Sequence, residues 1–142
     1  MSHGLDFVTL PLTTTAAGLV LVPQRSGLNW GQRYGRQIDQ AYLSVPADIQ
    51  RAGFFPERGE PFAVECDDGF LMKCVRAQQN GKAIQTPSDN GIIGRYFRDR
   101  LGVRHGHMVT VDHLYAYGRI SVDVYFRNEY RYYLDFSVLG SV

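Results

Sequence analysis

Two segments of this sequence combine arginine with side-chain amides at short spacing. The first is QRSGLNWGQRYGRQIDQ (24–40), which also contains three glycines, and the second is RAQQNGKAIQ (76–85). Arginine offers a planar fork of donors that matches phosphates and guanine edges, whereas asparagine and glutamine pair with the edge of adenine. These residue types indicate recognition of an anionic partner that carries base-like edges. For any one of them alone, the alternative is a solvated surface side chain.

Positive charge is concentrated along the chain, although the net charge is only +1. Residues 24–36 and 73–85 contain basic residues and no acidic residue, and residues 95–104 contain four arginines against Asp99. The remainder of the chain is correspondingly acidic. Such segregation favours an anionic partner over an evenly solvated surface.

Carboxylates and histidines that could support catalysis lack the partners that catalysis needs. Asp67 and Asp68 could belong to a metal-dependent nuclease, but no Glu-x-Lys or Asp-x-Lys follows in the next strand, and no His-x-Lys occurs. His105 and His107 have no further ligand at metal-binding spacing, and the glycines do not form a nucleotide phosphate loop. We therefore predict that DDG (67–69) is a turn and that the chain has no catalytic centre, no metal site and no cofactor.

Length and composition bound the remaining possibilities. A chain of 142 residues with 44% hydrophobic and 13% aromatic residues is expected to form one globular domain with a modest core. The sequence has no apolar stretch long enough to span a membrane, no signal-like segment, and only two cysteines. We therefore expect a cytoplasmic protein that does not associate with membranes.

Short strands and two short helices must position the two segments. Strands at Leu19–Pro23 and Ala41–Pro46 flank the first segment, and a helix follows Pro46 and ends at Gly53. A second helix begins after Ser88 or Asp89 and ends at Gly102. Its spacing buries one set of side chains (Ile93, Tyr96, Phe97 and Leu101) and leaves another largely outside (Arg95, Arg98, Asp99 and Arg100).

A hairpin with a three-residue turn precedes the second segment. With Gly69 in the left-handed conformation, Cys66 pairs with Phe70, and Phe62 lies opposite Cys74. The two cysteines then do not face each other and are expected to be small core residues. Alternating segments at 108–115, 119–126 and 131–139 predict three further strands, with His113 as a structural residue in the first. The whole pattern predicts a mostly β protein, a closed or half-closed antiparallel barrel with two short helices.

Several motifs resemble a known family. SGLNWGQR (26–33) and RAQQNGKAI (76–84) are the most specific of them, and they are accompanied by FFP, DDG, YFRDRLGV and DFSV. Over roughly Leu19 to Val138 the sequence is similar to the C-terminal DNA-recognition domain of NgoFVII/BfiI-type type II restriction endonucleases. That resemblance implies an open, seven-stranded B3-like DNA-binding pseudobarrel.

The resemblance also implies how DNA would be held. Two arms of the family's fold grip the major groove of double-stranded DNA; they correspond here to residues 25–40, the first arm, and residues 76–85, the second arm. The expected DNA-binding residues are Arg25, Ser26, Asn29, Gln32, Arg33, Tyr34, Arg36, Gln40, Arg76, Gln78, Gln79, Asn80, Lys82 and Gln85. Among them Arg33, Arg76, Gln79 and Asn80 are expected at base edges and Lys82 at phosphate, and Trp30 is expected to be a buried hinge.

Full-length members of the family join this domain to a phospholipase-D-type nuclease domain. We therefore expect residues 1–18 to be a lead-in from such a domain and residues 19–142 to form the B3-like domain. This prokaryotic domain is expected to be monomeric alone and to have no cleavage activity of its own.

Four alternatives remain open. A free-standing DNA-binding regulator could share the fold, and a small-barrel enzyme or sugar binder would need a carboxylate-lined cleft. A single-strand or RNA binder would need exposed aromatic side chains, for which Tyr130, Tyr132 and Tyr133 are the candidates. Finally, Arg76 could be structural and fasten the second arm to the barrel through an ion pair.

Overall fold

The computed structural model describes residues 6–138, and the first five and last four residues of the chain lie outside this range. Within it the chain forms nine strands, three α-helices and two short 3-10 helices. The strands are β1 (Phe7–Pro11), β2 (Thr14–Ala16), β3 (Leu19–Leu21), β4 (Leu43–Ser44), β5 (Phe62–Cys66), β6 (Leu71–Ala77), β7 (Ala83–Gln85), β8 (Ser121–Asn128) and β9 (Arg131–Asp135). The helices are α1 (Ala47–Ala52), α2 (Gly91–Leu101) and α3 (Val111–Tyr117), and the 3-10 helices span Gly27–Gln32 and Gln79–Gly81.

Seven strands form one curved sheet in the order β1-β8-β9-β5-β6-β7-β4. Only the β5–β9 pair is parallel, and the other neighbours in this sheet are antiparallel. The two edge strands, β1 and β4, approach each other, so the sheet is nearly closed. The predicted mostly β fold with a seven-stranded open pseudobarrel is confirmed.

Apolar side chains fill the interior of this barrel from alternate positions of its strands. On β5 and β6 the register is the one predicted, because Phe62 lies opposite Cys74 and Val64 opposite Met72. Gly69 turns the hairpin with a φ of +89°. Both cysteines are buried and free, and burial raises the pKa of the Cys66 thiol to about 12.

The N-terminal part of the chain contributes to the sheet. β1 pairs with β8 along its whole length, with Val8 and Leu10 buried, and it falls within residues 1–18, which were expected to be a lead-in. β3, which was expected to be a barrel strand, pairs instead with β2 in a separate two-stranded ribbon. Leu19 and Val20 of this ribbon are exposed.

One predicted strand is a helix. Residues Val111–Tyr117 form α3, although the alternation in MVTVDHLY suggested a strand. Local capping overrides the alternation: His113 Nδ1 accepts the backbone N–H of Thr110 at 2.9 Å, and Gly118 ends the helix with a φ of +110°. His113 is therefore structural, as expected, but as part of a helix cap.

Candidate nucleic-acid interface

The two arms are rooted on one short ladder of the sheet. β4 pairs antiparallel with β7, with Leu43 opposite Ile84 and Ser44 opposite Ala83. The first arm leads into the start of β4, and the 3-10 turn of the second arm leads into the start of β7. Because antiparallel strands begin at opposite ends of their ladder, the arms leave the barrel on either side of it. Two basic segments that are distant in sequence thus flank one patch of the sheet.

The first arm is a compact loop. It begins with the 3-10 helix Gly27–Gln32, whose apolar side chains are buried. The backbone N–H of Gly31 donates to the carbonyl of Gln40 at 2.7 Å, which joins the two limbs of the loop. A Cβ at position 31 would overlap the carbonyl oxygens of Gln37 and Ile38, so this close approach requires glycine.

Cations and one tyrosine project from the tip of the first arm. Arg33, Tyr34 and Arg36 are exposed, and Tyr34 is fully so. The Arg36 guanidinium lies 3.7 Å from the centroid of the Trp30 ring and donates to Gln40 Oε1 at 2.8 Å. A guanidinium has five N–H donors, so these contacts orient the group and leave donors for a ligand.

Trp30 forms the buried base of the tip, which confirms its prediction as a buried side chain. It is 8% exposed and packs edge-on against Tyr42. Arg33 is tied back beside it, because its Nε donates to the carbonyl of Arg25 at 2.8 Å. Arg25 itself is exposed, and Ser26 is half-buried.

An open cleft of about 980 Å³ separates the tip from the start of α2. Tyr34, Arg36 and the half-buried Gln40 line one side of it, and Asp89 and Arg95 line the other. A ligand that lies along the tip would therefore also meet the first residues of α2.

Asn29, which is predicted to contact DNA, faces the interior in this conformation of the arm. The side chain is fully buried. Its Nδ2 donates at 2.8 Å to the carbonyls of Pro23 and Val109, and its Oδ1 accepts the N–H of Val109 at 2.8 Å. Gln32 is half-buried and donates to the carbonyl of Gly106 at 3.2 Å. Both amides hold the arm in place.

Arg98 lies beneath the first arm, which corrects its predicted position on the outer face of α2. Its side chain has no exposed surface, and Asp39 Oδ1 lies 3.6 Å from its Nε. Burial lowers the pKa of Arg98, and the Asp39 carboxylate opposes that shift. The guanidinium donates hydrogen bonds to the carbonyls of Leu28 (3.2 Å), Gly94 (3.1 Å) and His107 (2.9 Å) and to Asn29 Oδ1 (3.3 Å).

Arg76 is fastened to the loop that precedes β5. It is half-buried, and its Nε donates to the carbonyl of Pro56 at 3.0 Å. Its guanidinium also packs against Gly81, where a Cβ would lie 3.2 Å from the Arg76 Cζ. These contacts favour the structural alternative for Arg76, with a carbonyl as its partner instead of the expected carboxylate.

The exposed part of the second arm is the turn that follows β6. Gln79, Asn80 and Lys82 are exposed, and Gln78 is half-buried. Gln78 and Asn80 have φ values of +65° and +64°. Asparagine adopts the left-handed region readily, but Gln78, with a ψ of 176°, is in a strained conformation that favours glycine. Gln85, which is also predicted to contact DNA, is only 9% exposed within β7 in this conformation.

The sequence comparisons agree with this geometry. Residues 8–128 match the family described as the NgoFVII C-terminal B3-like DNA-binding domain, a range that includes both arms. The chain belongs to this family. No curated protein matches it significantly. The protein is thus a B3-like DNA-binding domain of the kind found in restriction enzymes, and DNA is its partner.

Within this B3-like domain the basic window 95–104 supplies little surface charge. Arg95 pairs with Asp89 at 2.6 Å, and Arg100 donates two hydrogen bonds to the Asp67 carboxylate, at 3.1 Å and 2.8 Å. With Arg98 buried, Arg104 is the exposed arginine of this window that has no acidic side chain within ion-pair distance among residues 6–138. The charge argument from the sequence therefore holds for the two arms and not for α2.

A third segment, the loop 103–109, also borders the interface, although no sequence motif predicts it there. The N–H of Gly106 donates to Asp39 Oδ1 at 2.7 Å, so the loop 103–109 packs against the first arm. Arg104 and His107 are exposed on this loop. The contact joins residues 67 positions apart, so no local pattern in the sequence could have revealed it.

The aromatic side chains proposed for the single-strand alternative do not form an exposed platform. Tyr132 is buried in the core, where its hydroxyl donates to the carbonyl of Phe54 at 2.6 Å. Tyr133 is half-buried, with the Arg127 guanidinium 4.8 Å from its ring centroid. Of the three, only Tyr130 is exposed. Stacking of successive bases on this strand is therefore disfavoured.

Residues 6–138 provide neither a metal centre nor a membrane-spanning helix. No group of three or more His, Cys, Asp or Glu side chains in this range could hold a metal ion. None of the helices in this range is long and apolar enough to cross a membrane. The adjacent Asp67 and Asp68 are engaged in internal contacts, since Asp68 accepts the hydroxyl of Tyr96 at 3.0 Å and Asp67 binds Arg100.

Proposed function

We propose that this domain recognises a specific sequence in double-stranded DNA by laying its two arms in the major groove. Family membership supports DNA as the ligand. The observation that carries the proposal is the exposure of arginine, lysine and amide side chains on both sides of the β4–β7 ladder. The major groove admits protein elements of this size and presents a different donor and acceptor pattern for each base pair.

Three exposed side chains are assigned to base edges. Arg33, at the tip of the first arm, has donors left for the O6 and N7 acceptors of guanine. Gln79 and Asn80, in the turn of the second arm, offer amides that match adenine. The left-handed backbone at Asn80 is compatible with this role, because asparagine adopts this conformation more readily than most other residues with a side chain and its amide is exposed on the turn.

Other exposed side chains are assigned to the DNA backbone. Arg25, Arg36 and Lys82 are exposed cations on the two arms. Lysine is a flexible point charge suited to phosphate, and phosphate contacts set the register of a protein on the duplex without selecting its sequence. The acid of the first arm, Asp39, is buried against Arg98 and does not face the ligand.

Family membership also supports a proposal for the role of the domain in a larger protein. We propose that it is the target-recognition domain of a type II restriction endonuclease and that a phospholipase-D-type nuclease domain in the same protein cuts the DNA. The domain alone would then be a monomer without cleavage activity. The internal contacts of Asp67 and Asp68 support the proposed lack of cleavage activity, because both carboxylates are used to hold the fold.

Selection from a pool of random duplexes tests the proposal. The purified chain should enrich one short motif over successive rounds, and a duplex that contains the motif should bind at least about 10³ times more tightly than a scrambled one at the same salt concentration. The variant Arg33→Ala/Asn80→Ala is the control, since it should retain the fold and lose the enrichment. A pool that stays random, or single strands bound as tightly as duplex, would contradict the proposal.

A further inference from the structure

A buried polar cluster joins the first arm to the rest of the domain. Its members are Asn29 and Asp39 on the arm, Arg98 on α2, and the backbone of the loop 103–109. Asn29 and Arg98 are completely buried, and Asp39 is 9% exposed. Most contacts of the cluster cross from the arm to α2 or to the loop 103–109.

We propose that this cluster positions the first arm for DNA binding, so that Arg98, Asn29 and Asp39 set the shape of the arm before DNA arrives. The proposal rests on the function proposed above. None of the three side chains needs to touch DNA. They act through Arg33 and Arg36 at the tip, whose directions depend on the arm beneath them.

The cluster is specific because its donors and acceptors are matched. Asn29 Nδ2 uses both N–H groups, on the carbonyls of Pro23 and Val109, and Oδ1 accepts from the Val109 N–H and from Arg98. A buried polar group that loses its partner pays its full desolvation cost. The arm therefore has one favourable position over α2, and shifted positions leave these groups unpaired.

Close packing supports the same conclusion. A Cβ at Gly94 of α2 would overlap the carbonyl oxygen of Asp39, so the arm and the helix are in backbone contact. The backbone N–H of Ala41 at the end of the arm donates to the carbonyl of Asn90 just before α2, at 3.1 Å. The barrel strands take no part in these bonds, so loss of the cluster should release the arm and leave the barrel intact.

Preorganisation has a measurable consequence for binding. An arm that is already in its bound shape does not pay the entropy of becoming ordered when it meets DNA. If the cluster is weakened, the free arm samples other shapes. The apparent affinity for DNA is then the intrinsic affinity multiplied by the fraction of time that the arm spends in the competent shape. The loss should be larger for a specific duplex than for a random one, because only base contacts need the exact arm position.

Hydrogen exchange of the free protein tests the inference without DNA. The variants are Arg98→Lys, which keeps the charge beside Asp39 but loses the fork, and Asn29→Ala. A third variant, Asn29→Asp, keeps the acceptor at Oδ1 but turns a second acceptor toward the carbonyls of Pro23 and Val109. The matched control is Arg100→Lys, since Arg100 lies two residues away on α2 and is as fully bonded, but to Asp67 and the carbonyl of Phe136. The reporting amides are those of Asn29, Gly31 and Ala41.

In Arg98→Lys and Asn29→Ala these arm amides should exchange at least about tenfold faster, while amides of β8 and β9 keep their protection. Specific duplex affinity should fall by at least about tenfold, and Asn29→Asp should recover neither effect, because the carbonyls of Pro23 and Val109 have lost their donor. Arg100→Lys should lower thermal stability without changing arm exchange or affinity. Arm exchange that is unchanged in both cluster variants, or changed equally by Arg100→Lys, overturns the inference. A wild-type chain that binds no duplex overturns the proposed function instead, while the exchange data still decide whether the cluster holds the arm.

Discussion

Arginine serves two opposite purposes in this domain, and burial separates them. Arg98 and Arg100 are surrounded by carbonyls, carboxylates and hydroxyls of the protein, so their donors are used internally. Arg33 and Arg36 each have one N–H tied to the arm and the rest turned outward. A buried guanidinium is tolerated only with complete pairing, whereas an exposed one is available to a ligand.

This distinction predicts different effects for two arm cations. Arg33→Ala should weaken binding to the specific duplex by roughly 1–3 kcal/mol and relax the choice of base at one or two positions, because it removes a base contact. Lys82→Ala should weaken specific and scrambled duplexes alike and make the salt slope shallower by about one unit, because it removes a phosphate contact. Titrations of each variant with both duplexes at several salt concentrations measure this.

Thermal melting is the control for both variants. Arg33 and Lys82 are exposed, so neither substitution should change the melting temperature appreciably. If Arg33→Ala loses both duplexes equally while it remains folded, the first arm is a phosphate clamp and its assignment to base edges is wrong.

Arg76 should behave as a structural residue. Arg76→Ala removes the hydrogen bond to the Pro56 carbonyl and the packing on Gly81, so the free energy of unfolding should fall by roughly 1–3 kcal/mol. Any loss of DNA binding should accompany this loss of stability, since the turn of the second arm rests on the same side chain. Denaturant unfolding measures the stability, and duplex titration measures the binding. Loss of binding without loss of stability would instead indicate that Arg76 contacts a base.

At the scale of elements, α2 is packed on two sides. The barrel covers Ile93 and Phe97, and the first arm covers Gly94 and Arg98. A helix that rests on one surface has one apolar face, whereas this one has an apolar face and a polar face that are both buried. The helical spacing predicts only the first, which is why the burial of Arg98 is not visible in the sequence.

Two glycine-to-alanine substitutions in α2 distinguish the intrinsic helix propensity of the residue from the packing of the first arm on the helix. Alanine normally stabilises a helix by roughly 0.5–1 kcal/mol relative to glycine. At Gly94 the new Cβ would overlap the backbone carbonyl of Asp39, so the overpacking cost should lie near the upper end of about 1–3 kcal/mol. This cost outweighs the gain in helix propensity, and Gly94→Ala should destabilise the domain by about 2 kcal/mol and weaken duplex binding. Chemical denaturation of the purified variant measures the change.

Gly91→Ala is the matched control in the same helix. Its new Cβ would meet the Arg95 guanidinium and Asp89 Oδ1, and the guanidinium is the flexible end of a partly exposed side chain that can move aside. The expected change in unfolding free energy is within about 1 kcal/mol, since the exposed ion pair of Arg95 contributes little. Equal effects of the two substitutions would contradict the packing of the first arm on α2.

Elements differ in how far their sequence determines them. The β5–β6 hairpin could be predicted to the residue, because strict alternation and a glycine turn fix its register locally. α3 could not, because Val-Thr-Val alternates like a strand and the deciding bond is an unusual cap between Thr110 and His113. The positions of the two arms in the sequence could be predicted only from the family motifs. The burial of Asn29 could not be predicted, because it depends on a partner 80 residues away.

At the scale of the whole molecule, charge is distributed so that a nearly neutral protein can bind an anion. The net charge is +1, yet the arms present exposed cations and their one acid, Asp39, is buried. Other acids are paired with arginines of α2 and of the segment before β8, as in the Asp67–Arg100 and Asp123–Arg119 pairs. Binding should therefore be driven locally by the arms and not by the overall field of the protein.

The most direct test of this account is the salt dependence of binding to the selected duplex. Three exposed arm cations, Arg25, Arg36 and Lys82, are assigned to phosphates, whereas Arg33 is assigned to a base edge. At about −0.9 per neutralised phosphate, the plot of log affinity against log salt concentration should have a slope of about −3. Such a slope, lowered in magnitude by about one unit in Lys82→Ala, supports arms that hold the DNA backbone. Affinity that does not change with salt concentration would contradict it.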